Sequence, residues 1–188
     1  MEYVYHIVPR EMKENVLLSL NELKEPYPAL YETYTKKYFN TEDRLHLLKK
    51  RIPTLDCLWN DVIFLLPLHP SNVYEGMRKL GIRVKKDVLF YKIPVERLLH
   101  NQNAVYLYSK DYYEGPSKDI PSQEIQLIDI HDYPACHELP LDTYAYFDES
   151  HQKGKPFAMF AYVPHILSKG EISIEGVEII NWSATVDF

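Results

Sequence analysis

Residues 3–8 alternate between core-type and other side chains and are rich in β-branched and aromatic types, which predicts a first strand ended by Pro9. Met12, Val16, Leu20 and Leu23 then recur at helical spacing, predicting an amphipathic helix over 11–25 that Pro26 and Pro28 stop. Tyr31, Tyr34 and Tyr38 suggest a second, short helix. Thr41 is a suitable N-cap for a third, with Leu45, Leu47 and Leu48 inward and Pro53 closing it. The apolar run 62–66 reads as a buried strand. Asn72 and Glu75 fit a capping-box variant at the head of a helix that Gly81 ends. Strands are expected at 88–93 and 104–109 around a helical turn at 95–100. A loop over 110–122 carries Gly115, Pro116 and Pro121, and further strands are expected at 125–130, 157–163 and 171–180.

Helices thus gather in the N-terminal half and strands dominate the rest. That order predicts an α+β fold with mixed or antiparallel sheets rather than an alternating, doubly wound one. The chain of 188 residues has the length of a single domain, 1–188, and shows no internal repeat.

Composition narrows the function classes. Hydrophobic residues make up 46% and charged ones 26%, which is globular rather than disordered. A net charge of −6 argues against broad nucleic-acid binding, which draws its affinity from Lys and Arg neutralising phosphates. Apolar runs fall well short of the roughly 20 residues a membrane helix needs. Neither an N-terminal leader pattern nor a disulfide framework is visible, since Cys57 and Cys136 are the only cysteines. The expectation is a soluble cytoplasmic protein with no membrane partner.

The glycine-rich phosphate loops of dinucleotide and P-loop proteins are absent, and six glycines leave little room for one. Any phosphate would be held by side chains or a helix N-terminus. His131, Asp132, Cys136, His137 and Glu138 crowd one loop, but their spacing matches no zinc signature, so no metal is expected. Other groups stand at strand ends, where functional side chains concentrate. Asn60 and Asp61 precede the 62–66 strand, although such a pair also caps turns, and His69 follows it between Leu68 and Pro70. His6 lies within the first strand, where it shares a face with Val4 and Val8. Glu171 opens an apolar strand after Lys169 and Gly170, so it can project into a cleft. Together these segments suggest a pocket for a nucleotide-type ligand.

The same residues carry a family resemblance. The opening strand with Tyr5-His6 resembles the start of histidine-containing ADP-ribosyltransferase domains. The run from Val62 through Phe64 to Tyr74 resembles a strand and turn of the DNA-targeting ADP-ribosyltransferase toxins. Glu171-Ile172-Ser173-Ile174 is similar to the late strand that bears their catalytic glutamate. The resemblance implies an ADP-ribosyltransferase-like cleft that takes NAD as substrate and breaks the bond between nicotinamide and ribose. Glu171 would hold the ribose 2′-hydroxyl as oxocarbenium character develops, the logic used by glycoside hydrolases. His6, Asn60, Asp61 and Tyr74 would contact the dinucleotide, with Tyr74 stacking on nicotinamide, and His69 would meet the pyrophosphate. His69 stands where that family carries an arginine, and an imidazole has neither the permanent charge nor the bidentate fork. The departure motivates an alternative, a catalytically inactive interaction or regulatory module on the same fold. A third reading, a nucleotide-binding hydrolase of another fold, would need a pocket around residues 131–151.

Overall fold

The computed structural model describes residues 1–184, apart from the side chain of Asp43. Two antiparallel sheets form its frame. In the first, β6 (Leu89–Pro94) lies between β1 (Tyr3–Ile7) and β11 (Glu178–Asn181). In the second, the order is β5 (Ile63–Leu65), β9 (His165–Lys169), β7 (Gln102–Tyr106) and β8 (Ile125–Leu127). Strand alternation sends Val4 and Ile93 to one face of the first sheet, where they meet Ile63, Leu65, Val105 and Ile166 of the second. The opposite face of β1 carries Tyr5, which packs with Phe90, Trp182 and the buried face of α3 (Pro70–Lys79). The sheets touch at one corner, where Tyr5 and Leu66 exchange both backbone hydrogen bonds, at 2.9 and 2.8 Å.

Shorter pieces cover this frame. The chain runs from β2 (Val16–Leu17) through α1 (Pro28–Thr35) and a 3-10 turn, Lys36–Asn40, to α2 (Glu42–His46). Thr41 caps α2 as expected, accepting from the Arg44 amide. The short hairpin of β3 (Arg51–Ile52) and β4 (Cys57–Leu58) covers the outer face of the four-stranded sheet, where Ile52 and Cys57 pack with Ala104, Tyr106 and Leu167. The last pieces are α4 (Leu141–Gln152) and β10 (Ile172–Ser173), which pairs with β2.

The α+β class with antiparallel sheets is the architecture observed, and several of the expectations need correction. Helix α2 ends at His46 with Leu45 exposed, and β3 rather than helix precedes Pro53. Residues 11–25 do not form a helix: Val16 and Leu17 pair with Ser173 and Ile172, and a sheet partner overrides an unaided helical pattern. The helix after β5 begins at Pro70 with His69 as its cap, ahead of Asn72, because proline at the first position is pre-set for helix. Residues 157–163 hold a turn at 159–162 and no strand, and the strand starts at His165. Residues 171–180 split at a turn through Gly176, which adopts φ +69°, into β10 and β11 of different sheets. The longest helix, α4, lies in the C-terminal half, and its mixed face of Thr143, Phe147 and Ser150 shows why apolar spacing missed it. No helix among the described residues is long and apolar enough to cross a membrane.

Candidate functional site

A cavity of about 480 Å³ lies against the end of β1 and the start of β5, inside the size range of small-molecule sites. Its walls come from three parts of the chain. His6 is supplied by β1; Trp59, Asn60 and Phe64 come from the segment entering β5; Leu17 and Tyr38 come from the cover between β2 and α2. Much of this lining is apolar, and Lys13 and Lys37 add positive charge.

Two polar atoms in the lining are buried without a hydrogen-bond partner among the described residues: His6 Nδ1 and Asn60 Nδ2. Such atoms are rare in folded proteins and mark places that accept a ligand or water. Burial drives the His6 imidazole down to about pKa 4, against a weaker opposing effect of the Ile7 backbone, so the ring is neutral near pH 7. Asn60 is fixed on its other side, since its Oδ1 accepts from the Tyr38 hydroxyl at 3.0 Å and its carbonyl from the Asn21 amide at 3.0 Å. Desolvation raises the Tyr38 phenol, which keeps it a donor. Burial, and secondarily Arg44, lowers Lys37, whose Nζ sits 5.1 Å from the Tyr38 ring centre. His6 and Asn60 thus flank a largely apolar cavity, with the ammonium groups of Lys13 and Lys37 and the carboxylate of Glu11 around it. That set suits a ligand with a flat or apolar body and an anionic end.

The other residues expected at the site stand elsewhere. Asp61 has both carboxylate oxygens engaged within the protein: one accepts from the distant Asn21 Nδ2 at 2.6 Å, and the other from the Leu58 amide at 2.7 Å, which caps the turn before β5. His69 caps α3: its Nδ1 accepts from the Ser71 amide at 3.3 Å and lies 2.6 Å from Ser71 Oγ. Its ring meets Tyr5 edge-on at 5.0 Å, and burial, then the nearby Lys92, lowers its pKa. Tyr74 is buried in the cluster beneath α3, 5.5 Å from the Trp182 ring, away from the cavity lining. Glu171 is exposed at the head of β10, and its carbonyl accepts from Asn101 Nδ2 at 3.1 Å. Ile172, next to it, pairs with Leu17 of the cavity wall.

Leu17, Tyr38 and Trp59 are site residues that pattern reading did not single out. Tyr38 belongs to the tyrosine spacing that suggested a short helix, but its bond to Asn60 depends on where two distant segments meet. In the crowded 131–138 loop, His131 donates its amide to Asp129 and Cys136 Sγ bonds the Glu138 carbonyl at 3.4 Å. No group of three metal-ligating side chains forms among the described residues. Comparison with known proteins finds no matching family model, no matching curated protein and no matching solved structure.

Proposed function

We propose that the protein binds a nucleotide-type ligand, NAD first among them, in the cavity between His6 and Asn60, and acts as an NAD-dependent ADP-ribosyltransferase-like protein. The observation that carries the reading is the pair of unpartnered polar atoms, His6 Nδ1 and Asn60 Nδ2, on one largely apolar cavity. A neutral imidazole accepts or donates one hydrogen bond to a ribose hydroxyl or an amide, as its tautomer directs. The Asn60 N–H donates to an oxygen, and Lys13 and Lys37 offer charge to a pyrophosphate. Leu17, Trp59 and Phe64 supply the apolar surface on which a base packs.

In this reading Glu171 is the carboxylate that grips the ribose 2′-hydroxyl while the glycosidic bond to nicotinamide lengthens. Its place at the head of β10, beside the residue that pairs with Leu17, supports the assignment. The exposed Glu171 carboxylate must then meet the ribose at the cavity mouth.

A second reading, a binding module without catalysis, is favoured by one observation. His69, at the position of the family arginine, spends its Nδ1 on the cap of α3 rather than on a ligand. Nicotinamide release from NAD by the wild-type protein and by Glu171→Gln separates the two. Turnover lost in the variant, with NAD binding kept, is the expected result. NAD binding without turnover in the wild type would leave the module, and absence of both would retire the NAD reading.

A further inference from the structure

Behind the wall formed by Trp59 and Phe64 lies a second, smaller cavity of about 150 Å³, lined also by Lys50, Tyr108, Tyr113 and His165. We propose that this pocket is a separate ligand site, which takes a single aromatic ring carrying a carboxylate. The inference is independent of the NAD reading, because Lys50 and His165 line the smaller cavity and His6 and Asn60 the larger.

Charge is the first argument. Lys50 is only 8% exposed. Its Nζ donates to the Pro116 carbonyl at 3.1 Å and lies 5.2 Å from the Trp59 ring centre. No carboxylate stands within ion-pair distance of it among the described residues, and Asp119 acts on it only from farther off. Buried ammonium groups are normally paired, because a carbonyl and a ring face replace only part of their hydration. A carboxylate from outside completes the set.

Size and wall chemistry supply the rest. A cavity of roughly 150 Å³ holds one benzene-sized ring and little more. The walls are ring faces and edges: Tyr106 stacks on Tyr108 at 5.0 Å, and Tyr113 meets Tyr108 edge-on at 4.8 Å. Such walls favour a flat π-system over a saturated ring of equal volume. His165 brings no second positive charge near pH 7, because burial holds its imidazole at about pKa 4; with Nδ1 donating to the Val163 carbonyl at 2.7 Å, Nε2 is left as an acceptor. Tyr108 holds the left-handed backbone at φ +53°, a strained conformation for a bulky residue that persists only where its surroundings fix it.

The test uses the full chain and three probes: benzoate, its neutral counterpart benzamide, and cyclohexanecarboxylate. The two tryptophans, Trp59 and Trp182, give two indole N–H signals, and Trp182 is buried in the other core cluster as an internal reference. Saturable movement of the Trp59 signal with benzoate is expected. Benzamide should bind at least about tenfold more weakly, the weight of one hydrogen bond to a buried charge, and cyclohexanecarboxylate, which keeps the charge but loses the flat π-system, should bind several-fold more weakly. Lys50→Met should erase the preference for benzoate over benzamide. Intermolecular NOEs should join the benzoate ring to Tyr108 and Tyr113. Benzoate binding no better than benzamide would overturn the proposal, as would NOEs to Met12 and Leu17 of the larger cavity. Should Lys50→Met fail to fold, the wild-type comparison of the three probes decides alone.

Discussion

The Tyr38 hydroxyl donates to Asn60 Oδ1 at 3.0 Å, while Nδ2 of the same amide is buried without a partner among the described residues. The bond joins the cover of the site to the strand-entry segment that forms its wall. Tyr38→Phe removes the hydroxyl and leaves a buried carbonyl oxygen without its donor. A loss of about 1–2 kcal/mol in urea unfolding is expected. NAD affinity should fall with it in the same preparation, because the amide is no longer held in one orientation; a stability loss with affinity unchanged would separate the bond from the ligand site.

Two histidines make stability pH-dependent. Burial takes His6 and His165 each down to about pKa 4, well below the ordinary value near 6.5. Between those two values the unfolded chain binds protons at both rings while the folded chain does not. Stability is therefore full above about pH 6.5 and is lost as pH falls toward 4, by up to about 1.4 kcal/mol per pH unit for each ring. Urea midpoints measured at pH 7.5, 6 and 5 should fall in that order. The wild-type slope should flatten in His6→Asn and again in the double variant with His165→Asn; an unchanged slope would refute the assignment.

His69 caps α3 through Nδ1, so His69→Ala should cost about 1 kcal/mol, while His69→Asn should recover most of it. If nicotinamide release also drops in both variants, His69 acts on the ligand as well as on the helix. Release that tracks the cap alone, restored in the asparagine variant, would confine the residue to positioning α3.

Gly170 adopts φ +132°, where a side chain is strained, and a Cβ there would collide with the Asn101 side chain. Asn101 in turn donates to Ser168 Oγ at 2.9 Å and to the Glu171 carbonyl at 3.1 Å. Gly170→Ala is expected to destabilise the protein by more than about 1 kcal/mol. It should also lower NAD turnover beyond what the stability loss explains, since the backbone that carries Glu171 shifts. Turnover per folded molecule, from single-turnover kinetics below the unfolding midpoint, checks this.

Local chemistry made several elements legible. Alternation marked β1, the apolar run marked β5, and Thr41 marked the start of α2, because each is set by a few adjacent residues. The notion that His6 and the segment at Asn60 serve one pocket also came from position along strands, and both side chains line the same cavity. The helical spacing of Met12, Val16, Leu20 and Leu23 misled, since those side chains find their burial through pairing with β10 and along a cavity wall rather than on a helix face. In the same way Asp61 and His69 carried the right residue types for a site, yet both are taken up by local backbone donors.

By itself, the sequence determined the α+β class, the charge and the strands that deliver polar groups to their ends, because periodicity and turn chemistry act over a few residues. Only the tertiary structure decided which of those groups face one cavity and that Tyr38 orients Asn60. It also decided that Lys50 is buried against Trp59 with no carboxylate in ion-pair distance among the described residues. Each of these depends on contacts between segments far apart in the chain, and burial, which sets the pKa of His6, exists only once those segments have met.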